Sequence, residues 1–161
     1  METKTTEWYT ENLKRYLEQY KTAVYRRKQL ETRLWKVCKE MDRPIGGMHY
    51  SPVNVSSKEN LGSAAFTLRK SELEARIAEQ RGQATKHLLE VMDIMDYLEP
   101  ASDERMIMEL KYIDDYDWYA ITKKVHLSRR TCIRYRDKGL AMLIEYERVR
   151  TIVEKFVESD T

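Results

Sequence analysis

Residues that interrupt helices are concentrated in one segment of this 161-residue sequence. Two of the three prolines and three of the five glycines lie between residues 42 and 62. Proline and glycine are the strongest local breaks in helical structure, so long helices are expected on both sides of this segment. The composition, 42% hydrophobic and 35% charged residues, agrees with long amphipathic helices. We therefore expect an all-α protein with a loop at residues 42–62.

The N-terminal half carries two long patterns of apolar residues, from about residue 7 to 41 and from about residue 63 to 98. Steps of three and four place such residues on one face of a helix. The two stripes consist of Leu13, Leu17, Tyr20, Val24, Leu34, Cys38 and Met41, and of Phe66, Leu73, Ile77, Ala84, Leu88, Val91, Met95 and Leu98. The stripes can bury each other in a coiled-coil-like antiparallel hairpin or by pairing between two copies in a homodimer. Residues 1–99 are therefore predicted to be a long-helix interaction domain.

A second domain is predicted at residues 100–161. Pro100 ends the preceding helix, and Ser102 is suited to cap a helix over residues 103–112. The acidic stretch 114–117 then forms a polar turn, with Asp117 as the cap of the next helix. From Arg129 onward an apolar pattern continues without a proline, which predicts one extended last helix.

The stretch from Asp117 to Lys138 predicts a helix-turn-helix. In its first helix Trp118, Ile121 and Val125 share one face, because they are three and four residues apart. Ser128 is the expected N-cap of the second helix. In that helix the spacing of Cys132, Tyr135 and Gly139 predicts a face that packs on the first helix. His126 occupies the turn position that glycine often holds with a positive φ, a conformation that histidine tolerates.

Charge in the C-terminal half is strongly segregated. Residues 123–138 hold seven Lys or Arg and one acidic residue, Asp137, a net charge of +6. Residues 90–117 hold ten Asp or Glu against two basic residues, a net charge of −8. A solvated helix face normally mixes signs, so the one-sided basic cluster favours contact with double-stranded DNA. The acidic segment is a candidate surface for RNA polymerase.

The second helix supplies the candidate contacts to DNA. We predict that Arg130 and Arg134 read base edges, because arginine grips guanine O6 and N7 with two hydrogen bonds, and that Ile133 touches a thymine methyl group. The remaining polar and basic residues of the motif are expected to contact phosphates. These are Lys123, Lys124, Ser128, Arg129, Thr131, Arg136 and Lys138.

Other functional classes find no support in the sequence. Cys38 and Cys132 are far apart and belong to no metal-ligand pattern, so neither a disulfide nor a zinc site is indicated. No phosphate-cradling glycine loop and no nucleophile–base arrangement is present, so we expect no enzymatic activity and no cofactor. The absence of a signal peptide and of a long uncharged apolar run predicts a cytoplasmic protein with no membrane segment.

The run from Leu98 to Ile144 resembles region 4 of bacterial sigma-70 factors. It contains a leading Leu-x-Pro, an apolar helix ending in Lys-Tyr, a short acidic turn, an Ile-x-x-x-Val-x-Leu-Ser core and an arginine-rich recognition helix. With its long helical N-terminal half, the whole chain is similar to the small phage transcriptional activators of the RinA/ArpU type. This resemblance implies activation of late phage or prophage genes by binding DNA upstream of their promoter.

Two alternatives to a transcription regulator remain open at the level of sequence. A small terminase subunit also joins a helix-turn-helix to helical oligomerisation elements, although in that class the DNA-binding unit usually leads the chain. An interaction module would bind RNA polymerase or a sigma factor through the acidic segment and the long helices, with no specific contact to DNA. Oligomeric state and the effect of replacing Arg130 and Arg134 distinguish these three functions.

Overall fold

The structure, a computed structural model, describes residues 4–41 and 58–160. Within these ranges it contains α-helices and no β-strand, which confirms the all-α prediction. The helices are α1 (Thr6–Leu17), α2 (Gln19–Met41), α3 (Lys58–Met95), α4 (Asp103–Tyr112), α5 (Trp118–Val125), α6 (Arg129–Glu145) and α7 (Glu147–Asp160).

The first predicted helix, residues 7–41, is interrupted only at Glu18. The backbone hydrogen bonds continue through this residue, since its N–H donates to Lys14 O over 3.0 Å and its carbonyl accepts from Thr22 N–H over 3.1 Å. The interruption is therefore an irregular turn within a long helical segment. Most of the predicted loop, residues 42–57, lies outside the described residues, but residues 58–62 already belong to α3 rather than to the loop.

The chain divides into two compact units, Met1–Thr22 with Ala84–Thr161 and Ala23–Gln83. This partition differs from the predicted domain boundary between residues 99 and 100. The physical reason is that α1 and the last turns of α3 bury their apolar side chains together with the C-terminal helices. Leu13, Leu17, Val91, Ile94, Met95, Leu98, Met108, Leu140, Leu143, Val149 and Val153 form one buried cluster in the first unit.

The second unit, Ala23–Gln83, contains the greater part of α2 and α3. Arg81 Nη2 of α3 lies 3.3 Å from Glu31 Oε1 of α2, so the two helices meet within this unit, as the hairpin prediction requires. Few side chains are fully buried in this unit. Ala23 and Ile77 are enclosed, whereas several positions of the predicted apolar stripes are only half-buried. Trp35 on α2 is 60% exposed.

The single extended last helix predicted from Arg129 is wrong, because Tyr146 takes an extended conformation, with ψ of 122°, between α6 and α7. Arg150 of α7 donates from Nη1 to the carbonyls of Ile144, over 2.9 Å, and of Glu145, over 3.2 Å. These bonds satisfy carbonyl groups that a helix C-terminus leaves unpaired. The Tyr146 ring also packs against the Tyr97 ring, with 4.8 Å between centroids.

The approach of α4 to α6 depends on Gly139. A Cβ added at this position would lie 3.2 Å from Met108 Cγ and 3.5 Å from Glu104 Cβ. At Gly82 in α3, by contrast, an added Cβ would meet no heavy atom within 4 Å. The two glycines therefore provide a matched pair, one at a close helix contact and one facing open space.

We expect Gly139→Leu to destabilise the protein by about 1–3 kcal/mol, because the added side chain forces α4 and α6 apart. Gly82→Leu is expected to be neutral or to stabilise by up to about 1 kcal/mol through its higher helix propensity. Urea unfolding followed by far-ultraviolet circular dichroism measures both. Equal effects of the two substitutions would contradict the close α4–α6 contact.

Candidate nucleic-acid interface

Helices α4, α5 and α6 enclose a small apolar cluster beneath the basic segment. Its buried members are Ile107, Leu110, Ile121 and Cys132, with Trp118, Val125, Leu127 and Tyr135 packed against them. The predicted inner faces of both helices of the motif are thus confirmed, except that Gly139 faces Met108 of α4. Burial also raises the pKa of the Cys132 thiol.

The capping residues identified in the sequence define the ends of these helices. Ser102 Oγ accepts a hydrogen bond from Arg105 N–H over 3.2 Å, Asp117 Oδ1 from Ala120 N–H over 2.7 Å, and Ser128 Oγ from Thr131 N–H over 3.1 Å. Each bond satisfies a backbone donor that the first helical turn leaves unpaired. The three predicted N-caps are therefore confirmed, and the start of α6 is fixed at Arg129.

His126 has the left-handed conformation expected for the turn between α5 and α6, with φ of 56° and ψ of 35°. The side chain of an L-residue makes this conformation unfavourable, and glycine escapes the cost. Asp115 is also left-handed, with φ of 56°, a feature that the sequence analysis did not predict. Its carboxylate lies 2.8 Å from Lys21 Nζ, which ties the acidic turn to the start of α2.

The outer surface of α6 carries the three residues predicted to read bases, Arg130, Ile133 and Arg134. Both arginines are exposed and Ile133 is half-buried. Arg129, a predicted phosphate contact, is also exposed there. At about 3.6 residues per turn these four side chains span an arc of about 140° on the side of α6 opposite Cys132. Lys123 and Lys124 are exposed on the neighbouring helix α5. We call these five cations, Lys123, Lys124, Arg129, Arg130 and Arg134, the basic face.

The basic face is uncompensated in the part of the chain that the structure describes. None of its five cations lies within 4.0 Å of a carboxylate oxygen of the residues at 4–41 and 58–160. The N-terminus of α6 adds the positive end of its helix dipole at Arg129. Ser128 and Thr131 lie at this same end, where their hydroxyl oxygens are 2.9 Å apart. The arrangement is suited to hold anions.

Two other residues predicted to contact phosphates, Arg136 and Lys138, already have carboxylate partners in the protein. Arg136 forms an ion pair with Asp137, with Nη2 2.7 Å from Oδ1, and its guanidinium lies 5.4 Å from the centroid of the Trp118 ring. Lys138 Nζ lies 2.5 Å from Oε1 of Glu104 on α4. Both side chains therefore stabilise the packing of α6, and neither belongs to the uncompensated basic face.

The Lys138 partner, Glu104, is a buried carboxylate. Its side chain is 8% exposed, so it cannot exchange this ion pair for free contact with water. The hydrogen bond from Lys138 holds the pKa of Glu104 below its ordinary value, and the same bond raises the pKa of Lys138. Because Glu104 is buried, loss of its partner would leave a charge without compensation.

Aromatic side chains beside the basic face were not identified from the sequence. Tyr119 on α5 is 70% exposed, and Lys123 Nζ lies 5.4 Å from its ring centroid. Lys124 Nζ lies 5.2 Å from the Tyr116 ring in the same way. The spacing of four residues between Tyr119 and Lys123 places them on one helix face and was the available signal. Each ring restricts a lysine that faces solvent.

The described helices show no metal or membrane features. In residues 4–41 and 58–160, no group of three or more His, Cys, Asp or Glu side chains could hold a metal ion. In the same ranges, no helix combines the length and apolar character needed to cross a membrane.

The sequence model of one protein family, described as "Protein of unknown function (DUF722)", matches residues 10–145. This match extends over most of the chain and includes α4, α5 and α6 in full. No curated protein and no solved structure gives a significant match.

We expect His126→Gly to stabilise the protein by up to about 1 kcal/mol. Removing the left-handed side chain gains about 1–2 kcal/mol, and the greater freedom of glycine in the unfolded chain offsets about 0.4–1 kcal/mol of that. The free energy of unfolding in urea is the measurement. Ala120→Gly, inside α5, is the control and should destabilise by about 1 kcal/mol. A loss of stability in His126→Gly would contradict the left-handed turn.

The ion pair between Glu104 and Lys138 predicts a pH dependence of stability. The folded pKa of Glu104 lies below the unfolded value, so the pair contributes its full stability above the ordinary pKa of 4.5. That contribution is lost as the pH falls through the folded pKa. The free energy of unfolding should therefore fall less steeply below pH 4.5 in Glu104→Gln than in the unmodified protein. Glu145→Gln, which removes an exposed carboxylate of the same helix, is the matched control.

Proposed function

The chain belongs to the DUF722 family, and we propose that it is a sequence-specific regulator of transcription that binds double-stranded DNA. One observation carries the proposal: the outer surface of a capped helix-turn-helix presents the basic face, whose five cations have no carboxylate partner among the described residues. Lys138 and Arg136 nearby do have such partners. The fold thus neutralises the cations that it uses for packing and leaves those of the outer surface free for an anion.

The first turns of α6 are suited to the major groove. A recognition helix places its N-terminal residues at base edges, and Arg130 and Arg134 lie there one helical turn apart. Each can donate two hydrogen bonds to O6 and N7 of a guanine, which discriminates against other bases by about 1–3 kcal/mol. Ile133 lies on the same arc, on the Arg129 side of Arg130, and offers an apolar contact to a thymine methyl group.

The surrounding cations are suited to the phosphate backbone. Arg129 stands at the N-terminus of α6, while Lys123 and Lys124 project from α5, the helix that crosses the backbone in this motif. The exposed Tyr119 adds a phenolic hydroxyl that can donate to a phosphate oxygen. Its ring also limits the conformations of Lys123, which reduces the entropy lost when that lysine binds.

The resemblance to sigma region 4 and to RinA/ArpU-type activators narrows the proposed role. We infer that the protein activates late genes of a phage or prophage and acts at their promoter together with host RNA polymerase. Bacterial promoters lie in the cytoplasm, which is where this function would be carried out.

Replacing both base-reading arginines should abolish sequence discrimination. A duplex library of random sequence, enriched on the unmodified protein, supplies the preferred site, and fluorescence anisotropy then compares this site with scrambled DNA. We expect Arg130→Ala and Arg134→Ala each to lower the affinity for the preferred site by about 1–3 kcal/mol and to narrow its advantage over scrambled DNA. Circular dichroism should remain unchanged, because both side chains are exposed.

Two further variants separate base reading from charge. Lys123→Ala should weaken binding to the preferred site and to scrambled DNA by the same factor. It should also reduce the magnitude of the slope of log K against log salt by about 0.9, as expected for one lost phosphate contact. Arg33→Ala, at an exposed position of α2, is the matched control and should change neither quantity. A library without an enriched sequence, or full discrimination in the double arginine variant, would refute the proposed function and favour a protein-binding module.

A further inference from the structure

A groove runs along the first compact unit between the last turns of α3 and helix α7. It consists of two adjoining depressions, of about 360 and 470 Å³, which share Asp93 of α3 and Ile152 of α7. Both volumes fall in the range of small-molecule pockets, about 300–1,000 Å³, so the lining must decide what occupies the groove.

The two walls of the groove carry opposite charges. The α3 wall is acidic on balance: it presents Glu90, Asp93 and, directly after the helix, Asp96, against one lysine, Lys86, and His87. The α7 wall presents Arg148 and Lys155. These walls do not neutralise each other. Glu90 pairs with His87 and Lys86 of its own helix, and Asp96 pairs with Arg105. In the described part of the chain, no ion pair within 4.0 Å involves Asp93, Arg148 or Lys155.

Exposed apolar side chains lie beside the acidic wall. Leu89 is 57% exposed and Met92 is 46% exposed, and both belong to the same turns of α3 as Asp93. Neither lines the depressions, so a small molecule held in the groove would leave both in water. An occupant that covers them must be a surface of protein size, and the acidic wall excludes DNA.

We propose that a second copy of this chain occupies the groove and forms a symmetric dimer. In a twofold interface the same patch serves both subunits, so the patch must be complementary to itself. This groove meets that condition, because its acidic wall on α3 can face the basic wall on α7 of the second copy, and the reverse pairing follows by symmetry. Leu89 and Met92 are covered in the same contact.

The dimer goes beyond the proposed function and does not depend on it, since the groove shares no residue with the basic face. If both proposals hold, the protein presents two recognition helices, and its preferred DNA site should consist of two half-sites related by a dyad. A dimer that binds no DNA would refute only the proposed function, and a DNA-binding monomer would refute only the dimer.

Exchange of charges between the walls tests the interface. Sedimentation equilibrium of the full chain should show a dimer for the unmodified protein. Asp93→Lys and Arg148→Glu should each weaken the dimer by about tenfold or more, because each brings like charges together. An equimolar mixture of these two variants should dimerise again. In the mixed dimer the introduced lysine faces the introduced glutamate, and the second contact retains its original pair.

Two more variants test the apolar part of the interface and control for charge reversal outside the groove. Leu89→Ser, at an exposed position, should also weaken the dimer while circular dichroism remains unchanged. Glu145→Lys reverses an exposed charge of α6 outside the groove and should leave the dimer intact. The proposal is refuted by an unmodified protein that is monomeric at about 100 µM, well above typical constants for stable dimers. A closed ring of many subunits refutes it too, as does a dimer that neither charge reversal weakens.

Discussion

The burial of the second half of α6 is the constraint on which the rest of this protein depends. Leu140 and Leu143 are fully enclosed, and α6 packs on α1, α4, α5 and α7. The first half of the same helix packs on α4 and α5 through Cys132 and carries Arg130 and Arg134 on its outer surface. The backbone that carries these arginines is therefore held in place by contacts along both halves of α6, which is the rigidity that the proposed recognition of base edges requires.

Paired and unpaired charges lie in different parts of this unit. Arg105 bridges Asp96 and Glu109 and donates to the carbonyl of Leu98, so the acidic segment that precedes the motif is partly neutralised from within. Lys138, itself largely exposed, compensates the charge of the buried Glu104. Exposed charge of one sign is left on the outer surface of α5 and α6. The net charge of +2 does not show this arrangement, because it is a sum over the whole chain in which paired and unpaired charges count alike.

Local signals were enough to locate the elements of the motif. The bounds of α4 and the caps at Ser102, Asp117 and Ser128 depend on contacts within a few residues, and all were predicted from the sequence. The break at Tyr146 was not, because it depends on Arg150 reaching back to the end of α6 and on the packing of Tyr97, a residue of a distant segment. The roles of Arg136 and Lys138 were missed for the same reason. The sequence shows that both are basic, but only the packing of α6 shows their partners: Glu104 of α4 for Lys138, and the Trp118 ring of α5, together with Asp137, for Arg136.

The burial of Cys132 between the helices of the motif also determines how readily its thiol can be oxidised. Oxidants react with the thiolate rather than with the thiol, and access to the sulfur controls the rate. Cys132 is fully enclosed and burial raises its pKa, so the contact that holds α6 is shielded from oxidation on both counts. At this position, the packing beneath the basic face contains a thiol that resists oxidation while the protein is folded.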